Sequence, residues 1–404
     1  MKTEMIRGSL DGAAEIIKRG GLVAVPTETV YGLAGNGLDE SAVRQIYEVK
    51  GRPAIKPLSL MVPDAEAIAD YCLDPPPAAY ALARRFWPGP LTIVMQAKSF
   101  IPSIVLAGGD TVGLRCPMHP MTLELLRLAG LPFAAPSANP SSLSSPKNAA
   151  QVLEYFEGRI EAIVDGGDCG LGTESTIIDL SQTPYRILRQ GALPAEDIAD
   201  ALAEDMTLIG ITGGSGCGKT TALEVLREMG APVIDCDALY HELLESDREL
   251  LGELDRAFPG TVREGRLDRK ALGATVFADN AALERLNGIA HGHIIRELRR
   301  RLGEYAMAGD RVAAVDAIGL ISGGLAGDCS ATVAVCSTVE NRVRRIMARD
   351  GISRDYALLR INAQPDDEYF SAGCDYTLRN DGSSRQFQDE CRILFKEIIS
   401  NGKK

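Results

Sequence analysis

Short apolar runs alternate with amphipathic stretches along the whole chain. In the first half, residues 22–25 are all apolar and predict a buried strand. Residues 41–50 carry Val43, Ile46 and Tyr47 on one face of a predicted helix, with Ser41 as its N-cap. Further strands are predicted at 58–62, 91–95, 112–114, 133–135, 162–164, 176–178 and 186–188. This pattern predicts one twisted, mixed α/β sheet with helices packed on it.

The second half starts a new series of strands and helices. Met206 precedes an apolar strand at 208–212, as at the start of a protein, and a helix is predicted at 219–229. Residues 191–205 form a short amphipathic connector between the halves, acidic toward its end. We therefore place the domain boundary between Asp205 and Met206, giving domains 1–205 and 206–404, two α/β domains without an internal repeat.

The composition fits two globular domains of a cytoplasmic protein. The 404 residues are 45% hydrophobic and 24% charged. The N-terminus lacks an apolar signal region and no apolar run approaches 18 residues, so we expect no signal peptide and no membrane span. Nine cysteines without a CxxC pair favour reduced thiols over disulfides or a zinc site.

The net charge excludes a large basic surface. The chain has a net charge of −12, of which the first half carries −8 and the second −4. A protein held on nucleic acid mainly through phosphates would be basic. A local basic cleft for a small anion remains compatible with these values.

The stretch "GGSGCGKTT" at 213–221 has the spacing of a phosphate-binding loop. Gly213, Gly218, Lys219 and Thr220 fit GxxxxGK[ST], with a strand before and a helix after the loop. Glycines let backbone N–H groups converge on phosphate oxygens at a helix N-terminus. Lys219 is then expected on the β- and γ-phosphates and Thr220 on Mg²⁺. The alternative is a glycine-rich turn without a ligand.

The stretch "VIDCD" follows as the next strand. Asp235 and Asp237 are two residues apart, so in an extended strand both side chains point to one face. At the end of a parallel strand, such a carboxylate could accept the proton of an attacking hydroxyl. The alternative is a pair of solvated aspartates that cap the following helix.

From Met206 to about Ser384 the chain resembles the dephospho-coenzyme A kinase family. The matching stretches are "IGITGGSGCGKTT", "VIDCDALYHELL", "LDRKALGATVF", "LNGIAH", "RVRRIMARDG", "RINAQ" and "CDYTLRNDGS". The resemblance implies a P-loop kinase with a parallel sheet and a helical lid and acceptor region. Members transfer the γ-phosphate of ATP to the 3′-hydroxyl of the ribose in dephospho-coenzyme A, with Mg²⁺.

The resemblance also assigns residues. It implies Asp237 as general base, Lys219 as catalytic and Arg349 as the lid arginine that reaches the phosphates. The implied ATP-binding residues are Gly214, Ser215, Gly216, Cys217, Gly218, Lys219, Thr220, Thr221 and Asn380, with Thr220 also as the Mg²⁺ ligand. Asn287 and His291 match a helix on the acceptor side, although His291 is equally typical of a core histidine.

Two positions depart from that family's pattern. Ser322 stands where a glutamate is usual in "DxPLLFE", which puts the acceptor site in doubt, and Gly292 follows His291 where proline is common. A plain ATPase or GTPase is a weaker interpretation, because no NKxD-like guanine-reading motif occurs.

Three polar stretches mark the first half. They are "PTETVYGLAG" at 26–35, "KGRPAIKPL" at 50–58 and "APSANPSSLSSP" at 135–146. Three cations within seven residues of an acidic domain suit a triphosphate. Hydroxyls and amides of the last stretch suit phosphate, sugar or base. Each stretch alone is also typical of a solvated surface.

Over residues 8 to about 195, the first half resembles the YrdC-like threonylcarbamoyl-AMP synthase family. Further matches are "WPGPLT", "TVGLRCPMHP", "GGDCGLGTESTIIDL" and "ILRQGAL". Members make threonylcarbamoyl-adenylate and pyrophosphate from L-threonine, bicarbonate and ATP. A separate complex then transfers the threonylcarbamoyl group to adenosine 37 of tRNAs. Such chemistry needs positioning and charge neutralisation rather than a side-chain nucleophile.

This second resemblance implies two groups of site residues. Thr29, Arg115 and Ser175 would bind threonine, and the ATP-binding residues would be Lys50, Arg52, Lys56, Ser137, Asn139, Ser145 and Arg189. Ser142 replaces a glycine of the family's pattern, so we expect a stiffer nucleotide loop. Cys169 is expected to serve packing rather than catalysis.

The leading interpretation is therefore a bifunctional cytoplasmic enzyme with no stable nucleic-acid binding. One alternative makes the first half an RNA-binding module attached to a small-molecule kinase, which the net charge of −8 disfavours. Another makes one half a degenerate scaffold, which the intact Lys219, Lys50 and Arg52 disfavour. The sequence gives no reason for the fusion.

Overall fold

The computed structural model describes residues 2–263, 265–276 and 279–402. The chain divides into two compact units, Met1–Leu202 with Met307–Gly309, and Ala203–Ala306 with Asp310–Lys404. Among the described helices, none is both long and apolar enough to cross a membrane. The boundary between Asp205 and Met206 stays a prediction.

The first half of the chain forms a mixed sheet covered by helices. Its strands are β1 (Glu4–Ile6), β2 (Val23–Val25), β3 (Gly32–Asn36), β4 (Ser59–Met61), β5 (Leu91–Gln96), β6 (Thr111–Arg115), β7 (Phe133–Ala134), β8 (Ala162–Val164), β9 (Thr176–Asp179) and β10 (Arg186–Arg189). Its helices are α1 (Asp11–Lys18), α2 (Glu40–Lys50), α3 (Ala67–Tyr71), α4 (Pro77–Phe86), α5 (Pro120–Ala129), α6 (Ala149–Phe156) and α7 (Ala195–Glu204).

The sheet of the first half has the order β1-β8-β2-β3-β7-β4-β6-β5-β9-β10. Parallel pairs such as β4 with β6 alternate with antiparallel pairs such as β5 with β6, so the predicted mixed α/β sheet is confirmed. Every residue of β2 is buried, which explains its unbroken apolar sequence. Val23 and Val25 pack with Leu125 and Phe133 into the core between the sheet and α1 and α5.

The second half forms a parallel sheet with helices around it. Its strands are β11 (Thr207–Thr212), β12 (Val233–Asp235), β13 (Val262–Arg263), β14 (Arg266–Leu267), β15 (Val312–Asp316), β16 (Ala331–Cys336) and β17 (Tyr376–Arg379). Its helices are α8 (Lys219–Glu228), α9 (Cys236–Ser246), α10 (Arg248–Ala257), α11 (Arg269–Val276), α12 (Asn280–Ala308), α13 (Val339–Asp350), α14 (Arg354–Asn362), α15 (Asp367–Ala372) and α16 (Ser384–Asn401), with a 3-10 helix at Leu325–Asp328.

The order of the second sheet is β12-β15-β11-β16-β17, and all neighbouring pairs are parallel. This confirms the predicted parallel sheet. Its central strands are fully buried and pack against α8 and α16 through Val225, Leu226 and Phe395. Because the strands are parallel, the segments that follow β11, β12 and β15 meet at one edge.

Three local predictions differ from the structure. The N-cap of α2 is Asp39 and not Ser41: the Asp39 carboxylate accepts a hydrogen bond from the Ser41 amide. Strand β12 ends at Asp235, and Asp237 lies in the first turn of α9, so the two aspartates do not share a strand face. Strands β1 and β3 were not predicted at all.

Candidate functional site

The first half contains a cavity of about 560 Å³ on one face of its sheet, lined by alternate residues of β4, β5 and β6. Five of its lining side chains are cationic where the pattern predicted cations: Lys50, Arg52, Lys56, Arg115 and Arg189. The lining also includes the predicted Ser137, Asn139, Ser145 and Ser175. These residues are separated by up to about 140 positions, and the fold brings them to one cavity.

Lys50 lies at the end of α2, where Gly51 terminates the helix with a left-handed backbone, φ 58°. The Lys50 side chain is only 3% exposed, and its ammonium group donates hydrogen bonds to the carbonyl oxygens of Ser137 and Asn139. Burial, reinforced by the nearby charge of Arg52, lowers the pKa of Lys50 to about 8. The Lys50 ammonium group thus loses part of its solvation where it lines the cavity.

Arg52 and Lys56 belong to the turn that follows α2. The Arg52 guanidinium donates to the carbonyl oxygens of Pro57 (3.0 Å) and Lys56 (3.3 Å), so the turn folds back over the Arg52 side chain. The Tyr47 hydroxyl also donates to the Lys56 carbonyl, at 2.8 Å. The turn therefore presents its cations from a fixed backbone.

Arg115, the last residue of β6, is a buried part of the cavity wall. Its Nη2 donates to Glu28 Oε1 and to Thr29 Oγ1, both at 2.7 Å, and its Nε donates to the Gly89 carbonyl at 3.3 Å. Thr29 itself is fully buried and reaches the site through Arg115. Sequence reasoning missed Glu28, the counterion of this arginine, although it stands beside Thr29 in "PTETVYGLAG".

On the β9–β10 side, Ser175 and Arg189 are joined in one network. Arg189 donates from Nη2 to Ser175 Oγ at 3.1 Å, and Ser175 Oγ lies 2.9 Å from Thr92 Oγ1. Glu174 forms an ion pair with Arg189 and accepts from Ser145 Oγ at 3.0 Å. Glu174 was not predicted, and no spacing rule connects it to Arg189, because the contact depends on the antiparallel pairing of β9 with β10.

Ser142 and Cys169 are placed away from these contacts. Ser142 is exposed, and its φ is negative, so the replaced glycine leaves no strained backbone. The Cys169 amide donates to the Lys147 carbonyl at 2.8 Å, and burial raises the pKa of its thiol. A raised pKa fits the predicted packing role.

In the second half, the loop 213–218 lies between β11 and α8 as predicted. Gly213, Gly216 and Gly218 have φ of 141°, 80° and 108°, a backbone that only glycine adopts without strain. The Lys219 ammonium group donates to the Gly213 carbonyl at 3.0 Å, and Asn380 donates from Nδ2 to the Cys217 carbonyl at 2.9 Å. The other predicted nucleotide residues, Gly214, Ser215, Thr220 and Thr221, belong to the same loop and the first turn of α8.

Three carboxylates lie at the edge of the sheet beside this loop. Asp235 caps α9 through the amides of Asp237 and Ala238. Asp316, at the end of β15, pairs in register with Asp235 on β12. Burial and the charges of Asp235 and Asp237 raise the pKa of Asp316 to about 6, against an opposing effect of Lys219. Sequence reasoning did not name Asp316 as a site residue, although the strand-end rule applied to Asp235 applies to it as well.

The remaining predicted kinase residues lie on the helices. The Arg349 guanidinium pairs with Asp350 at 2.7 and 2.9 Å at the end of α13. Asn287 and His291 lie on α12, with Asn287 exposed. The turn after β15, which contains Ser322, approaches His291: an added Cβ at Gly323 would lie 4.0 Å from His291 Nδ1. His291 thus faces the turn whose sequence departs from the family's pattern.

Two family models match the chain, one in each half. The Sua5/YciO/YrdC model, described as telomere recombination, matches residues 15–191, and the CoaE model, described as dephospho-CoA kinase, matches residues 207–386. A threonylcarbamoyl-AMP synthase of Pyrococcus abyssi is 48% identical over 192 residues, which are 48% of this chain and 56% of that protein. The chain thus spans about half the length of the first such relatives.

Two further relatives are matched over most of their length. A putative threonylcarbamoyl-AMP synthase of Mycobacterium tuberculosis is 38% identical over 48% of this chain and 88% of its own length. A dephospho-CoA kinase of Thermus thermophilus is 35% identical over 50% of this chain and 96% of its own length. The chain therefore belongs to two families, the Sua5/YciO/YrdC family through its first half and the dephospho-CoA kinase family through its second.

Proposed function

We propose that the first half is a threonylcarbamoyl-AMP synthase that uses L-threonine, bicarbonate and ATP. The observation that carries this proposal is the convergence of Lys50, Arg52, Lys56, Arg115 and Arg189 on one cavity of about 560 Å³. A volume of this order accommodates a nucleotide-sized ligand. Five cations in one cavity of an acidic domain favour a polyanion together with a carboxylate.

The proposed reaction needs its substrates to be held in position and needs no side-chain nucleophile. The threonine amine adds to the carbon of bicarbonate, water leaves, and a carbamate forms. A carbamate oxygen then attacks the α-phosphorus of ATP, the bond to the β-phosphate breaks, and pyrophosphate leaves.

Lys50, Arg52 and Lys56 bind the phosphates, while Arg115 pairs with the threonine carboxylate beside Thr29 and Ser175. Ser137, Asn139, Ser145 and Arg189 hold the nucleotide.

We propose that the second half is a dephospho-coenzyme A kinase. The observation that carries this proposal is the loop 213–218 with Lys219, beside the carboxylates of Asp237 and Asp316. The 3′-hydroxyl oxygen of the acceptor attacks the γ-phosphorus, the bond to the β-phosphate oxygen breaks, and ADP leaves. Asp237 accepts the hydroxyl proton, and Lys219 bridges the phosphates. Arg349 reaches the phosphates after leaving Asp350.

The residues beside the loop fit a magnesium ion. The Thr220 hydroxyl is exposed at the start of α8, and Asp316 has a buried Oδ1 without a hydrogen-bond partner among the described residues. Hydroxyl and carboxylate oxygens are the ligands that Mg²⁺ prefers. Thr220 and Asp316 would hold the ion, and when bound it neutralises charge on the phosphates.

One assay of the purified full chain tests both proposals. With ATP, threonine and bicarbonate we expect pyrophosphate and threonylcarbamoyl-adenylate, and with ATP and dephospho-coenzyme A we expect coenzyme A and ADP. Absence of either product from a folded chain would refute the corresponding half. RNA binding without pyrophosphate release would support the RNA-binding alternative. We further propose that the adenylate passes to a tRNA-modifying complex.

A further inference from the structure

The outer side of the phosphate loop is held by side chains from α13. Arg342 donates from Nε to the Ser215 carbonyl at 3.0 Å. Arg345, one turn later, donates from Nη1 to the carbonyl oxygens of Gly216 and Cys217, both at 3.2 Å. Three consecutive carbonyl groups of the loop therefore point to arginines of one helix. With its carbonyl groups bound on the outside, the loop can turn amide groups toward a phosphate.

Ser215 is fixed from a second direction. Its amide donates to Gln364 Oε1 at 2.8 Å, and Gln364 Nε2 donates to Ser215 Oγ at 3.0 Å. The carbonyl of Ser215 is thus bonded to Arg342 of α13, and its amide and hydroxyl are bonded to Gln364, which follows α14. These contacts hold Ser215 from outside the loop.

Arg342 is buried in this arrangement, with 3% of its surface exposed. Its Nη1 lies 3.3 Å from Asp367 Oδ1, and Asp367 Oδ2 in turn accepts from the Ser337 amide at 3.1 Å. Its Nη2 is buried without a hydrogen-bond partner within the described chain. A buried, partly unpaired guanidinium costs solvation energy, so a gain elsewhere has to offset it.

Gly214 and Arg342 fit each other closely. A Cβ added at Gly214 would lie 2.2 Å from Arg342 Nη2 and 2.8 Å from its Cζ. No side chain fits there while Arg342 keeps its position. Arg342 therefore requires a glycine at 214. At 213, 216 and 218 the reason for glycine is different, because the backbone there has a positive φ.

We propose that Arg342 is a positioning residue for ATP binding in the second half. It acts through Ser215 and Gly214, whose geometry it sets before the nucleotide arrives. Preorganised backbone dipoles bind an anion without reorganisation at the moment of binding. This inference rests on the proposed kinase function, because its readout is the kinase's use of ATP.

The experiment measures KM and kcat for ATP and for dephospho-coenzyme A in the full chain. Arg342→Met and Arg342→Lys should each raise KM for ATP about tenfold, with kcat and KM for dephospho-coenzyme A within about threefold of wild type. A merely structural arginine would lower the active fraction, and hence kcat, without moving KM. Arg344→Met is the matched control, because Arg344 is exposed on the same helix and bonds only Asn341 among the contacts described.

Gly214→Ala provides an independent test should Arg342→Met fail to fold. Alone, it should raise KM for ATP at least as much as Arg342→Met. In Gly214→Ala/Arg342→Met the effects should be less than additive, because the clash is with Arg342 itself. Unchanged KM for ATP in Arg342→Met and Arg342→Lys, or full additivity with Gly214→Ala, would overturn the inference. A wild-type chain that does not phosphorylate dephospho-coenzyme A would instead refute the kinase proposal on which it rests.

Discussion

The two proposed phosphate sites are built in different ways. In the first half, the positive charge comes from side chains of distant segments, led by the buried Lys50 and by Arg52. In the second, it comes from the backbone of one glycine-rich loop at the start of α8, with a single lysine, Lys219, in the motif. The first site thus relies on cationic side chains, and the second relies on the backbone of one loop.

The difference has an energetic consequence. Backbone N–H groups are neutral, so aiming them at a ligand costs little solvation, whereas a buried ammonium group loses its water. The pKa of Lys50 falls to about 8 for this reason, while the carbonyl groups of Ser137 and Asn139 and the charge of Glu174 stabilise the cation. The loop's cost is conformational instead: three of its glycines have positive φ, and Gly214 has no room for a side chain.

The largest expected effect is that of Lys219→Ala. Removing the cation on the β- and γ-phosphates should lower coenzyme A formation by about 10³–10⁵-fold, the range for a cation that stabilises a transferring phosphoryl group. Pyrophosphate release with threonine should be unchanged, because the two sites lie in separate units. Product formation by the same preparation measures both.

The mirror variant, Lys50→Ala with Arg52→Ala, should silence pyrophosphate release and spare coenzyme A formation. We also expect a gene cut between Asp205 and Met206 to give two fragments, each with its own reaction. If either set of changes disabled both reactions in a folded chain, the two halves would be coupled and the comparison between independent sites would fail.

Next in size is Asp237→Asn. Loss of a general base should lower phosphoryl transfer by about 10²–10⁴-fold while KM for ATP stays near the wild-type value. Asp235→Asn is the matched control: asparagine keeps the cap of α9, so turnover should change little. Equal effects of the two substitutions on kcat would show that Asp237 has no special role.

A smaller effect is expected from the amino-acid substrate. The hydroxyl groups of Ser175 and Thr92 lie beside Arg189 in the first cavity, and the buried Thr29 hydroxyl contacts Arg115. A site that hydrogen-bonds the substrate hydroxyl should prefer threonine over valine by about 10²-fold or more in kcat/KM. Pyrophosphate release with each amino acid measures the ratio, and a ratio near one would exclude threonine as the intended substrate.

The smallest predicted effect is a pH dependence of ATP use by the first half, which arises from Lys50. Since the pKa of Lys50 is lowered to about 8, its ammonium form, which attracts phosphate, is lost as the pH rises through that value. KM for ATP in pyrophosphate release should therefore rise about fivefold between pH 8 and pH 9, because the charged fraction of Lys50 falls from about one half to about one tenth. Lys50→Arg, which keeps its charge, should flatten this profile. An unchanged KM in the wild type across that range would show that Lys50 stays charged or does not contact ATP.

Local pattern was enough for most elements and for the spacing of the motifs. Strand β3 was missed because Gly32 and Gly35 lower its strand propensity, although Gly35 packs closely: a Cβ added there would lie 2.9 Å from Leu22 Cδ2. The N-cap of α2 was misplaced because Asp39 and Ser41 are both good caps, and only the backbone turn at Asp39, φ −106° and ψ 110°, decides between them.

The sequence by itself determined the two families, the glycine loop between strand and helix, and the cations at 50, 52 and 115, because these depend on neighbours along the chain. Tertiary structure alone decided which distant groups meet. Asp316 joins Asp235 through the register of β12 and β15, and Arg342 reaches Ser215 across 127 positions. Spacing along the chain carries no information on such contacts, since they arise only when helices and strands pack and bury their polar groups against one another.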